Sequence, residues 1–275
     1  HLFTQTGLAA TLRSQVKSGN PSRALRAIFL LRRLETDADS ANAIESALDH
    51  PIEAVRSSAA ISLAGCGSPA QQSKVLERLP MLPFWLRVAV IHQLAEDSPT
   101  LQSFLEEAFR SGDSRQVLTA LEFILSQNRV HTVGSVSHLI KSPNPEVRIK
   151  LFRALPLLLT EEEPAKLVSL GLLDTDWRVR VMAILASGKL RLSGLVPLLV
   201  EKLAACTQKI EASHLAQALA NISPESRNRL EGFLNSDIPM ARAVAASVLE
   251  EQLLRPNARG ARDRKSTRLN SSHTD

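Results

Sequence analysis

Tyrosine is absent from this sequence, and aromatic residues make up only 4 % of its 275 positions. With Leu and Ala abundant, that scarcity favours helices over sheets, whose strands draw on aromatic and β-branched side chains. Cysteine occurs twice, as Cys66 and Cys206, too few for a disulfide framework or a Cys-rich zinc module. No apolar run is long enough to span a bilayer. The longest uncharged stretch, residues 57–73, carries five serines and a Gly-Cys-Gly-Ser-Pro turn. Gly-rich phosphate loops, Gly-x-Ser-x-Gly elbows and metal-ligand spacings are missing too, so no cofactor or metal is expected. An excess of one charge is nearly missing. The formal net charge is +5, from 33 basic and 28 acidic residues. Residues 255–275 hold six of the basic and two of the acidic ones, leaving 27 against 26 in the rest. The basicity that would suggest an anionic partner therefore belongs mostly to the tail. With 44 % apolar and 22 % charged residues, the body has a globular composition.

The ends set the domain expectation. The chain starts at His1 with no signal-peptide pattern after it, and reads as a fragment whose upstream part could hold an anchor. The run Asp263 to His273 resembles one frame of a translated sequencing adapter. Residues 255–275 are accordingly expected to be a disordered tail, with 263–275 an artefact, and residues 1–254 the folded body.

A repeat organises that body. Val55-Arg56, Val147-Arg148 and Val179-Arg180 recur, with looser copies at Leu25-Arg26, Leu86-Arg87 and Ala241-Arg242. Successive arginines lie 30, 31, 61, 32 and 62 residues apart. The doubled gaps predict further anchors near 117 and 211, where Val117-Leu118 and Glu211 stand. One helical turn on are Phe29, Ala59, Val90, Leu121, Leu151, Ala183, Leu215 and Ala245, all apolar, as a helix with one buried face requires. This is helix B of each unit. Ser68-Pro69, Ser98-Pro99 and Ser223-Pro224 mark the start of a helix A, as an N-cap before a first-turn proline. Thr160 with Glu163 is expected to make a capping box in the same place. Eight helix–turn–helix units of roughly 31 residues fill the body.

These residues carry a resemblance. Leu48-Asp49-His50-Pro51-Ile52-Glu53-Ala54-Val55-Arg56, followed by Ala59-Ala60 and Leu63, is similar to the helix-B signature of HEAT repeats. So are Leu173 to Ala183 and Asn235 to Leu249. The short period is similar to the HEAT-like repeats of phycobilin lyases. The resemblance implies an all-α fold, an α-α superhelix or HEAT/armadillo-like solenoid, with a concave surface lined by B helices. It is silent on function, because its motif residues are structural. Arg56, Arg87, Arg148, Arg180 and Arg242 are expected to hold turns and reach acids of adjacent turns, forming a ladder along the stack. An Asp before helix B is expected to cap it.

Candidate chemistry is thin. His131 and His138 lie seven apart, which would place them on one face of a helix. HEAT-like deoxyhypusine hydroxylases bind di-iron through His-Glu pairs, and no His-Glu dipeptide occurs here. Cys66 and Cys206 read as reduced, semi-buried thiols. Glu161-Glu162-Glu163 reads as capping at a helix start. Trp85 and Trp177 each precede an anchor arginine. Each is either a hydrophobic staple to the preceding unit or, with Arg178, an exposed anchor for a partner. Asp176-Trp177-Arg178 superficially fits the HEAT-like DNA glycosylases, whose catalytic pattern does not map onto this chain. The expectation is a non-enzymatic, bacterial scaffold that binds a protein through its helix-B face, in the cytoplasm. A nucleic-acid-binding or DNA-repair protein and a phycobilin-lyase-like chaperone are the alternatives.

Overall fold

The structure, a computed structural model, describes residues 7–33, 37–94 and 98–270, with 255–270 given by backbone alone. It is all-α: fifteen α-helices, short 3-10 turns and two strands of two residues among the described residues. The chain divides into two compact units, residues 1–129 and 130–275.

Unit 1 is a stack of helix pairs. The A helices are α1 (Leu8–Val16), α3 (Ala38–Ser46), α5 (Pro69–Arg78) and α7 (Pro99–Ser111). The B helices are α2 (Pro21–Arg33), α4 (Glu53–Cys66), α6 (Phe84–Ile91) and α8 (Ser114–Gln127). Each B helix packs on the next, α2 on α4, α4 on α6 and α6 on α8. The reason is the apolar stripe: Val55, Ala59, Leu63, Leu86, Val90, Val117 and Leu121 are almost fully buried. A single pair has no second layer to cover that stripe, so neighbours must supply one. Helix starts follow local chemistry. Ser68 and Gln71 form a capping box at α5, with Pro69 at its first position. Asp113 caps α8 by accepting from Arg115 and Gln116 N–H.

Unit 2 begins differently. Its first pair has no A helix. In its place are β1 (His131–Thr132) and a 3-10 turn, Ser137–Lys141. β1 pairs in parallel with β2 (Leu158–Leu159). The B helix of this pair is α9 (Pro145–Ala154), and regular pairs follow: α10 (Pro164–Gly171) with α11 (Trp177–Lys189), α12 (Val196–Ala205) with α13 (Lys209–Ile222), and α14 (Pro224–Gly232) with α15 (Pro239–Asn270). The stack α9, α11, α13, α15 is close-packed. A Cβ on Gly188 of α11 would come 3.2 Å from the Ala218 Cα of α13, so small residues set that spacing. A Cβ on Gly171 would come 2.3 Å from the ring of the fully buried Phe152, closer than packing allows.

Several local expectations are corrected. His131 lies in β1 and His138 in the 3-10 turn, so they do not share a helical face. Thr160 and Glu163 make no capping box: Glu163 is the N-cap of α10 without a side-chain bond, and the Thr160 hydroxyl donates to the Glu162 carbonyl. The Glu162 carboxylate is engaged elsewhere. It accepts from the backbone N–H of Val136 and Ser137, at 3.0 and 3.1 Å, and from the Ser135 hydroxyl. Burial pushes this carboxyl up, but those donors more than offset it and leave it below the usual range. Glu162 thus pins the loop that replaces a helix. In the first pair the buried row is Ala24, Ala27, Ile28 and Leu31, so the expected position Phe29 is turned outward, 54 % exposed. The backbone of α15 runs as a helix through Asn270. Residues 271–275 lie outside the described residues.

Candidate functional site

The anchor arginines are the most regular feature. Each donates to a carbonyl five or six residues back, at the end of the preceding turn. Arg56 holds His50 O at 2.7 Å, Arg87 holds Leu82 O at 3.3 Å and Arg148 holds Ser142 O at 2.6 Å. Arg180 holds Asp174 O at 3.0 Å and Arg242 holds Ser236 O at 3.2 Å. The carbonyls of the turn before each B helix gain a charged donor this way.

Three of these arginines also reach into the next repeat. Arg87 meets Glu122 at 2.9 Å. Arg148 forks onto Asp174 at 2.7 and 3.0 Å. Arg180 forks onto Glu211, at 2.8 Å on both oxygens. The fork matches the carboxylate and holds it in one orientation. Burial pushes Asp174 up, yet the Arg148 hydrogen bond and charge and the Asp176 N–H bring it below the ordinary carboxylate range. Hydrogen bonding to those acids raises Arg148 and Arg180. Glu211 explains its own poor fit to the repeat. It is the third residue of α13, where α4, α9 and α11 carry Val55, Val147 and Val179. A buried carboxylate replaces valine there, and the preceding anchor supplies its counter-charge.

Trp177 and Arg178 open α11. Trp177 is 44 % exposed. Arg178 is tied down: it forks onto Asp176, the cap of its own helix, and reaches Glu146 at 2.9 Å. Asp176 caps α11 through the Arg178 N–H, as expected of that position. The Asp-Trp-Arg run is therefore a cap with a cross-repeat ion pair.

Trp85 stands in a different setting. It is 58 % exposed, beside Phe84 at 62 % and Met81 at 80 %. It also forms one wall of a groove of ≈ 310 Å³ across three successive B helices. Phe29 of α2 forms the opposite wall, and Ala54, Ser58 and Ile61 of α4 lie on the floor. Arg32 closes one end and bonds the Gln93 side chain across Gly65, where a Cβ would crowd both. The Arg33 guanidinium lies over the Phe29 ring at 4.9 Å. Of this constellation the sequence singled out Trp85 alone. Phe29 was hidden by its register, which reads as core. One signal was available: α2 contains four arginines and no acid.

The remaining candidates have local partners. His50 is buried, its ring bonding Ser18 O and the Ile52 N–H. The Cys66 and Cys206 thiols donate to Ser62 O and Gln208 O. Among the described residues, no three His, Cys, Asp or Glu side chains stand close enough together to hold a metal ion. Among them, too, no helix is long and apolar enough to cross a membrane.

No family model matches the chain. No curated protein matches it. Among solved structures it is similar to human deoxyhypusine hydroxylase in complex with glycerol, at 18 % identity over 91 % of this chain and 98 % of that one, with a TM-score of 0.36. At that level the likeness brings no activity, ligand or residue role to this chain. It does correct one expectation. The expectation that the chain is no enzyme, drawn from its thin candidate chemistry, is withdrawn, because the solved structure just named is that of a hydroxylase.

Proposed function

We propose that this chain binds a protein partner through the B-helix face of unit 1. The observation that carries the reading is the groove between Phe29 and Trp85. Large aromatic side chains from two helices are exposed at its rim, with small and apolar residues between them. Exposed apolar surface of this kind costs solubility in a free chain, and tryptophan and phenylalanine are efficient anchors once buried against a partner. The packed B helices α2, α4 and α6 beneath it give a rigid platform, which limits the entropy lost on binding. The repeats fit the short, phycobilin-lyase-type HEAT-like pattern, and the chain is read as a scaffold built from them. Trp177, next to the engaged Arg178, is the lesser candidate.

The test compares the native chain with a Phe29→Ala/Trp85→Ala variant, both checked for equal helicity by circular dichroism. Each is immobilised and exposed to extract of the native host. Proteins held by the native chain should be lost from the variant. Retention of the same set by both would overturn the reading.

A further inference from the structure

The rim of the same groove is charged in one sense. Helix α2 carries Arg23, Arg26, Arg32 and Arg33 and no acidic residue. Arg23, Arg26 and Arg33 are exposed. Among the described residues no ion pair joins any of the three to a carboxylate, whereas Arg13 of α1 is paired with Asp37 at 3.2 Å. Arg32, at the groove's end, is bonded to the neutral amide of Gln93, and among the described residues no ion pair joins it to a carboxylate. Helix α6, the opposite wall, has no acid either, and its Arg87 is matched by Glu122. Glu53, next to Ala54 of the floor, stands at the first turn of α4, where it faces the positive end of that helix. So the groove has an apolar centre and a basic rim along one side.

We propose that this groove takes an acidic amphipathic helix of a partner protein, its apolar stripe between Phe29 and Trp85 and its carboxylates on the α2 arginines. This rests on the reading that the groove binds a protein. The dimensions agree. Two interhelical steps separate α2 from α6, roughly 18 Å at ordinary helix spacing, which about twelve residues of a helix cover at 1.5 Å each. An apolar stripe at i, i+3, i+4 and i+7 places three or four anchors over that distance. Arginine suits the rim because its guanidinium can fork onto a carboxylate and still stack on a ring, as Arg33 does on Phe29. A nucleic acid is the poorer fit. Its phosphates need cations tracking along the site, and here they stand on one wall above an apolar floor.

The experiment uses the full chain and a displayed library of random peptides of about 15 residues, roughly four helical turns. Peptides kept by the native chain and lost by the Phe29→Ala/Trp85→Ala variant are sequenced. They should carry an excess of Asp and Glu with apolar residues at helical spacing. A resynthesised winner should bind the Arg26→Glu/Arg33→Glu variant at least about tenfold more weakly, mostly through slower association, and should weaken with added salt. Both arginines are exposed, and circular dichroism verifies the fold of each variant. Neutral or basic winners, or a charge reversal without effect, would overturn the acidic class while leaving the groove reading in place. If no peptide distinguishes the native chain from the Phe29→Ala/Trp85→Ala variant, the groove reading itself fails, and this inference with it. A low-salt gel shift with duplex DNA that depends on Arg26 and Arg33 and outcompetes every peptide would overturn it in favour of nucleic acid.

Discussion

In unit 2 the guanidinium of Arg148 lies in the fork of Asp174, whose backbone carbonyl is held by Arg180, which in turn forks onto Glu211. One chain of charged hydrogen bonds joins three successive repeats. In unit 1 the repeats contribute arginines just as freely, but Arg56 holds only the carbonyls of His50 and Pro51, and Arg23, Arg26 and Arg33 stand in solvent. The exposed aromatics follow the same division. Trp85 rims an apolar groove, whereas Trp177 neighbours an arginine already engaged on two carboxylates. Arginine thus ties successive repeats in both units, Arg87 to Glu122 in unit 1 included, while three arginines of α2 stand exposed. What decides between the two is whether an acid stands one repeat further on.

Breaking the ladder tests this most severely. Glu211→Leu leaves the half-buried Arg180 without its carboxylate and should cost about 3 kcal/mol, as removal of one member of a buried pair does. Arg180→Met with Glu211→Leu should recover most of that. Hydrogen exchange read segment by segment should place the loss in unit 2, since repeats are stabilised mainly by their neighbours. Equal stability of the single and double variants would show that the pair carries nothing.

The equivalent change in unit 1 should be milder. Arg56→Met removes bonds to two carbonyls and no ion pair, and should cost about 1 kcal/mol by urea unfolding. A cost matching that of Glu211→Leu would erase the contrast between the units.

Acid should act on unit 2 in a defined direction. Asp174 and Glu162 are both held below the usual carboxylate range in the folded chain. Each therefore contributes stability that is present above its unfolded value, about 4, and is lost as pH falls through its lower folded value. Urea midpoints followed downward from pH 5 should fall, and Asp174→Asn should flatten the slope while lowering the midpoint at neutral pH. An unchanged slope in that variant would remove Asp174 from the account.

The smallest effect is expected in the α2 arginines. Arg26→Glu/Arg33→Glu should shift stability by no more than about 0.5 kcal/mol, because among the described residues neither side chain forms an ion pair. A larger loss would mean that these residues support the fold, and would weaken their assignment to a partner.

Much of the fold was legible because its causes are local. The apolar stripe at 59, 90, 121, 151, 183, 215 and 245 is buried throughout. The capping box at Ser68 forms because the hydroxyl and the Gln71 amide sit within one turn. The anchor arginines hold their own turns, five or six residues away, within the reach of one side chain. What failed depended on partners distant in sequence. Thr160 and Glu163 have the right spacing for a capping box, but the loop at 135–137 offers Glu162 two backbone donors and the turn takes another course. Glu211 breaks the repeat in sequence because the group that accommodates it, Arg180, lies 31 residues away.

Of the candidate site, Trp85 was legible by its rarity and its place before Arg87, while Phe29 and the arginines of α2 were not. Net charge misled here. The body sums to nearly zero, yet one helix carries four positive charges and no negative one. The sequence alone determined an all-α chain of repeated helix pairs, because burial of one face per helix is written into spacing and needs only a neighbouring repeat. Tertiary structure decided which arginines are neutralised and which aromatic rings face solvent. Those outcomes turn on the distance between groups some thirty residues apart, and a shift of one residue in register, as at Phe29, is enough to move a side chain from the core to the surface.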